Sequence, residues 1–364
     1  MEYIFNDVLE IKNGKNQKAV ENPDGMYPIY GSGGIMGHAD DYICDAHTVI
    51  IGRKGSINNP IYVSEPFWNV DTAFGLFANK ELLLPRYLFY FCKKFDFEKL
   101  NKTVTIPSLT KSDLLKIKID LPTITEQKEV VDKLLKIETV IGLRNKELIA
   151  LDNLIKARFV EMFGNIATGQ YKYETRRMGE VAKVGSSHRV FTTEFVDDGI
   201  PFYRGTEIGE LANGQKPSEL YYISEEHYKR LANDDTRPKV GDLLMPSICN
   251  KGQVWMVDTE EPFYYKDGRV LCISPNREIY DSRYLQYFMR VKTEVEYPKM
   301  GSGSTFSEFK IFLLKDFEVL TPPRDIQEEF SSFVEQVDKS KVEVQKALDE
   351  TQQLFDSLMQ QYFG

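Results

Sequence analysis

The chain has 364 residues, 42% of them hydrophobic and 28% charged, with ordinary amounts of Gly and Pro; this suits two globular domains and excludes disordered, collagen-like and disulfide-framework classes. No stretch approaches the ~20 apolar residues needed to cross a bilayer, and Met1-Glu2-Tyr3-Ile4-Phe5 is no basic segment followed by an apolar run, so the chain reads as a cytoplasmic protein without a secretory signal. The net charge of −9 weighs against nucleic-acid binding, yet residues 325–364 alone carry 3 Lys/Arg against 9 Asp/Glu, whereas residues 1–125 (14 against 15), 126–164 (7 and 7) and 165–324 (22 against 24) are near neutral and can still present a basic face.

In chain order, the first patterned segment is Tyr27-Pro28-Ile29-Tyr30, followed by the Gly-rich run Gly31-Ser32-Gly33-Gly34. Thr48–Ile51 and Ala73–Phe77 are rich in β-branched and aromatic residues and predict strands, with a polar turn after the first. An amphipathic helix is expected to start near Pro85, and its Arg86-Tyr87-Leu88-Phe89-Tyr90-Phe91 row reads as core rather than as a base-stacking platform. Lys116–Leu121 predicts a last strand before Pro122. A long helix then follows, with capping-box spacing at Thr123 and Glu126 and Gly164 as a left-handed C-cap. Inside it Leu134, Ile141, Leu148, Ile155 and Met162 recur every seven residues; Val130, Ile137 and Leu151 fill the partner seam, which Arg144 and Arg158 interrupt. That period predicts a coiled coil rather than a short surface helix.

The same succession returns. Ile200-Pro201-Phe202-Tyr203 resembles the first Pro-containing segment, Asp242–Met245 and Val270–Ile273 predict strands, and a helix is expected from Ser282. Pro322-Pro323 precede a second long helix with capping spacing at Asp325 and Glu328 and a seam of Phe330, Val334, Val337, Val344, Leu348, Phe355, Leu358 and Tyr362, ending at Gly364. Pro122, Gln127, Leu148, Leu154 and Phe163-Gly164 match Pro322, Gln327, Leu348, Leu354 and Phe363-Gly364 at an offset of 200; Lys54-Gly55 and Arg86-Tyr87-Leu88 match Lys251-Gly252 and Arg283-Tyr284-Leu285 at 197. The protein is one unit written twice. The tails align without a gap, whereas the second head gains about 24 residues before its Lys-Gly turn and three more near Gly301. The expected fold is α+β: mixed α/β heads at residues 1–124 and 165–324, and helices at 125–164 and 325–364. The helices are expected to pack antiparallel and relate the heads by a pseudo-two-fold axis; the plainer alternative is that each only flanks its own head.

Catalytic signatures are missing. There is no phosphate-binding G-x-x-x-x-G-K-[ST] loop, and Gly31–Gly37 lacks the spacing of a dinucleotide fold. Asn59-Pro60-Ile61-Tyr62 has Ile where an amine methyltransferase loop needs a second Pro, so it reads as a plain loop. Asp40-Asp41 and Asp197-Asp198 have no counterparts in the other copy and suit solvated loops better than a nuclease metal site. Cys44, Cys92, Cys249 and Cys272 form no C-x-x-C pair and the histidines are scattered; they read as reduced core thiols with no metal site.

The polar turns have the chemistry of nucleic-acid contact. Arg53, Lys54, Ser56 and Asn58 follow the first buried strand, and Ser247, Asn250 and Lys251 sit at the equivalent place in the second copy. Thr103, Thr105, Ser108 and Lys111 pair in the same way with Ser302, Ser304 and Thr305 upstream of each final strand. Gly31, Ser32, Arg204 and Arg269 complete the candidate DNA contacts. Arg reads guanine, Asn reads adenine, and hydroxyls and backbone amides grip phosphates.

The duplicated head-plus-helix plan resembles the specificity subunits of type I restriction–modification systems. So do the phrases Ile119-Asp120-Leu121-Pro122-Thr123-Ile124-Thr125-Glu126-Gln127 and Ile51-Gly52-Arg53-Lys54-Gly55-Ser56. Thr321-Pro322-Pro323-Arg324-Asp325-Ile326-Gln327 departs from the pattern, with Ile326 in place of the usual Glu. The resemblance implies a non-catalytic chain whose heads are target-recognition domains for double-stranded DNA and whose helices are spacers. It also implies partners: two adenine-specific methyltransferase subunits, which would hold S-adenosylmethionine while this chain holds no cofactor, and a motor–nuclease restriction subunit. A coiled-coil adaptor without DNA contact and a stand-alone nucleic-acid-modifying enzyme are the alternatives.

Overall fold

The computed structural model describes residues 1–101, 106–232, 236–300 and 307–364. They divide into two compact units, Met1–Glu147 with Val344–Gly364, and Leu148–Glu343. The division cuts both long helices, Ile124–Phe163 and Arg324–Phe363, so each unit is a head completed by one segment of each helix.

In the first unit, Leu9–Asn13, Ala73–Ala78, Thr48–Gly52 and Ile61–Val63 form an antiparallel sheet in that order. Its central strand Thr48–Gly52 is buried throughout. Because successive side chains point to opposite faces, Val49 and Ile51 enter the main core with Phe5, Leu76 and Leu88, while Ile50 enters a smaller core with Cys44, Val63 and Phe67. A second sheet joins Gly34–Ala39, Tyr27–Gly31 and the short Trp68–Asn69, the last pairing parallel.

The second unit repeats this topology. Ala182–Gly185, Val270–Pro275, Leu243–Pro246 and Trp255–Met256 form the matching sheet, and Leu243 and Met245 face the main core while Leu244 faces the smaller one. Ile200–Tyr203 pairs parallel with Tyr264–Tyr265 as its counterpart does with Trp68–Asn69. Tyr221–Ile223 pairs antiparallel with Ile200–Tyr203 as Gly34–Ala39 does with Tyr27–Gly31, and this copy adds the helices Gly205–Ala212 and Glu225–Leu231 and the edge strand Phe195–Val196.

The expected strands are present with bounds shifted by a residue or two; Lys116–Leu121 shrinks to Lys118–Asp120, which pairs with Glu2–Ile4. Helices Pro85–Lys94 and Ser282–Glu296 bury Tyr87, Leu88 and Tyr90, and Tyr284, Leu285 and Phe288. The aromatic rows are core, as read from the sequence. All four cysteines are buried and free. Burial pushes the Cys44 and Cys272 thiols up to about 12 and Cys249 to about 11, so they are packing groups, not nucleophiles.

Within each unit the helix segments run antiparallel. In the first, Val130, Val131 and Leu134 share the core with Phe355 and Met359, while farther along Arg144 donates to the Ala347 carbonyl and the Thr351 hydroxyl. In the second, Arg158 bonds Glu329 at 2.6 Å and Asp152 accepts from Lys341 at 2.7 Å. The two arginines that break the heptad seam thus form cross-helix bonds. The Thr123–Glu126 capping box is made: Glu126 accepts from the Thr123 amide and hydroxyl, each at 2.8 Å. The Asp325–Glu328 box is not. That helix starts at Arg324, whose guanidinium bonds Glu328 at 2.8 Å, and Pro323 stands where Thr123 supplies a hydroxyl and an amide.

Each head is fastened to its helix by one buried glutamine. Gln127 accepts from the Leu84 amide at 2.9 Å and donates to the carbonyls of Leu82 at 2.8 Å and Pro122 at 3.0 Å. Gln327 repeats this with the Asp281 amide at 2.9 Å and the carbonyls of Ile279 at 2.9 Å and Pro322 at 2.8 Å. Leu84 and Asp281 are the N-caps of the short aromatic helices. Replacing Gln127 with Leu leaves three partly buried backbone groups without this partner, at up to about 1–3 kcal/mol each before relaxation and solvation. We expect Q127L, and separately Q327L, to lower unfolding free energy by about 2–4 kcal/mol in a denaturant titration. A change within 0.5 kcal/mol would remove the glutamine from this role.

Candidate functional site

The polar turns stand at the end of each main sheet, tied to the frame through backbone rather than side chains. In the first unit the Arg53 amide donates to the Thr72 carbonyl at 2.7 Å, and the Leu109 amide donates to the Arg53 carbonyl at 2.9 Å. The Gly55 amide reaches the Pro107 carbonyl at 3.1 Å, and Lys54 bridges Ser108. Gly55 takes φ = 81°, a left-handed conformation that favours Gly. Gly52 is needed for a different reason: a Cβ there would lie 2.3 Å from the Ser56 carbonyl oxygen and 3.0 Å from the Ser32 Cβ. Ser32, Arg53, Lys54, Ser56 and Ser108, distant in sequence, therefore share one patch. Arg53 and Lys54 are exposed. The Arg53 guanidinium rests 5.8 Å from the Phe74 ring centre, and neither cation has an ion pair among the described residues.

The second unit repeats the two bonds of Arg53. The Ser247 amide donates to the Arg269 carbonyl at 2.8 Å, and the Phe309 amide donates to the Ser247 carbonyl at 2.7 Å. Gly252 has φ = 63° and its carbonyl accepts from Val254 at 2.9 Å, as the Gly55 carbonyl accepts from Ile57 at 2.9 Å. The Lys-Gly pairs are thus equivalent, but Ser247, not a residue next to Lys251, occupies the place of Arg53; the second turn is longer. Asn250 and Lys251 are exposed at its tip. A cleft of about 620 Å³ opens beside it, where Arg204, Tyr221, Ser247, Gln253, Lys266 and Arg269 meet.

Several expected contact residues instead hold the frame. The Asn58 amide group donates to Asp96 at 3.1 Å and accepts from the Phe97 amide at 2.7 Å, which leaves it little to offer a base. The Lys111 ammonium donates to the Ile11 carbonyl at 2.6 Å. Arg204 is bound to Glu207 and Glu219 and lies 4.1 Å from the Tyr221 ring centre; its pairing with the buried Glu207 carboxylate is the main reason its guanidinium holds its proton more firmly than usual. Arg269 is paired with Glu308 but keeps an exposed side chain at the surface. Gly31 is buried at a strand end. Thr103, Thr105, Ser302, Ser304 and Thr305 lie outside the described residues. Gln253 and Lys266 in this cleft, and Glu308 beside it, have no like counterpart in the first copy, so the repeat does not mark them.

This division makes a prediction about stability. Asn58→Ala and Arg204→Ala should lower the melting temperature by several degrees, each leaving a partner unpaired, whereas Lys54→Ala and Lys251→Ala should leave it within about one degree. Equal losses in all four variants would contradict the division into frame and free residues.

Among the described residues there is no group of His, Cys, Asp and Glu able to hold a metal, and no helix long and apolar enough to cross a membrane. The chain matches the family model for the type I restriction modification DNA specificity domain twice, over residues 2–153 and 171–352. It is 23% identical over 352 residues to a type I restriction enzyme specificity subunit of Haemophilus influenzae, covering 91% of this chain and 86% of that one. It is also 23% identical over 300 residues to the type I restriction enzyme MjaX specificity subunit of Methanocaldococcus jannaschii, covering 74% of this chain and 66% of that one. Its fold is similar to that of the type I restriction–modification S subunit from M. genitalium, with a TM-score of 0.63, 15% identity, and coverage of 100% of this chain and 96% of that one. With a doubled head and two family matches spanning nearly the whole sequence, the chain belongs to the type I restriction–modification DNA specificity family, as a non-catalytic specificity subunit.

Proposed function

We propose that the chain reads a split, asymmetric DNA site, one half with each head, and positions two adenine-specific methyltransferase subunits and a restriction subunit on it in the cytoplasm. The observation that carries this reading is the recurrence of one backbone-anchored turn at the same frame position in both units, each turn carrying a Lys-Gly pair with its lysine exposed, Lys54 and Lys251. Two copies of a reading surface suit two half-sites. Different side chains on those copies suit halves that differ.

The long helices serve as the spacer. Forty residues at ~1.5 Å each make a rod of about 60 Å, long enough to act as a ruler along a duplex. Helix length then sets the number of unread base pairs. Exposed apolar side chains, Leu143 and Ile149 on the first helix and Val342 and Leu354 on the second, suit these helices to protein partners. The chemistry belongs to those partners: they would bind S-adenosylmethionine and flip the target adenine, while this chain holds no cofactor.

Co-expression with a methyltransferase subunit, followed by mapping of methylated adenines, tests the reading. The expected product is a bipartite, non-palindromic motif. Assembly without DNA preference would point to an adaptor, and methylation or cleavage by the chain alone to an enzyme; either result overturns the proposal. Lys54→Ala or Lys251→Ala should weaken binding about uniformly across sequences and reduce the salt dependence by roughly one charge. Deleting one heptad from both helices should change the unread gap and leave the half-sites alone; altered half-sites would defeat the spacer role.

A further inference from the structure

The two heads share a backbone frame that permits a comparison position by position. Residue 53 in the first unit and residue 247 in the second occupy the same node: each amide donates to the carbonyl of residue 72 or 269, and each carbonyl accepts from residue 109 or 309. Residues 108 and 110, or 308 and 310, flank the second of these bonds. Around this node the side chains are Arg53, Thr72, Ser108 and Thr110 in one head, and Ser247, Arg269, Glu308 and Lys310 in the other. The backbone is held constant while the donor and acceptor set is rewritten, from one cation with three hydroxyls to one hydroxyl with two cations and a carboxylate.

Glu308 is the informative member. Arg269 and Lys310 both bond it, the latter at 2.7 Å, and its side chain is only 21% exposed. Facing phosphate, a carboxylate would be repelled. At a base edge it accepts from cytosine N4, and by holding a guanidinium it aims that group at guanine. In the first unit Ser108 stands at this position, and Arg53, with no carboxylate partner among the described residues, projects from the node itself.

We infer that this node, residues 53, 72, 108 and 110 in one head and 247, 269, 308 and 310 in the other, determines which bases the two heads prefer, with Arg53 and Glu308 dominant in their respective heads. The inference rests on the DNA-reading function proposed above. Arg53→Ser gives the first head the central side chain of the second, and Glu308→Gln keeps the shape while replacing a pure acceptor with a donor and an acceptor. Each variant is co-expressed with the methyltransferase subunit, and methylated adenines are mapped beside those of the parent. Arg53→Ser is expected to relax or change the preference at a base pair of one half-site by about tenfold or more, and Glu308→Gln to do so in the other half, each leaving the remaining half unchanged. Motifs identical to the parent's, or both variants altering the same half, overturn the inference while the function reading stands. Loss of all methylation by a complex that still assembles also overturns it, because the residues would then hold the turn rather than choose bases. A parent chain that yields no sequence motif would instead defeat the function reading.

Discussion

A primary amide with no access to solvent has to find its partners within the protein, and at Gln127 and Gln327 those partners lie on two different elements. Three bonds join the start of a long helix, the proline segment before it and the N-cap of a short aromatic helix inside the head. A buried polar group of this kind costs free energy unless it is fully met. The join therefore has one good geometry, and a loose one exposes several unsatisfied backbone groups together. Burial of Val130, Val131 and Leu134 in the first core, and of Phe330, Val334 and Val337 in the second, then sets how each helix leaves its head. For a subunit whose task depends on where its reading surfaces point, that stiffness is a functional property.

The antiparallel pairing is specified by polar side chains as much as by the heptads. Arg144 and Arg158 look like faults in an apolar stripe, but a guanidinium at a seam selects one register, because sliding by a turn would separate it from Ala347 and Thr351 or from Glu329. The apolar residues favour association; the arginines choose among associations.

Much of the architecture was legible in the sequence for the same reason that it is stable. The main strands, the aromatic helices and the long helices have strong periodicity, and duplication displays each pattern twice. Gln127 and Gln327 could be matched by their spacing of 200, yet nothing in that match says what the amides bind. The contact residues were less legible. Asn58, Lys111 and Arg204 have suitable chemistry for DNA, but tertiary neighbours distant in sequence, Asp96, Ile11 and Glu219, claim their polar atoms. The capping spacing at Asp325 failed because the helix starts at Arg324, which places Asp325 inside the first turn rather than at the cap. Lys266 and Glu308 are not marked by the repeat, because the two copies keep their backbone frame and diverge in the side chains around it.

The central physical claim is that each head and the start of its long helix move as one piece through the glutamine amide. Native-state hydrogen exchange at the backbone amides of Leu84 and Asp281, which donate to Gln127 and Gln327, tests it most directly. The account predicts that both exchange only with the opening of the whole unit, in step with the strand amides of Ile50 and Leu244. Exchange orders of magnitude faster than those strand amides, by local opening at the join, would contradict it.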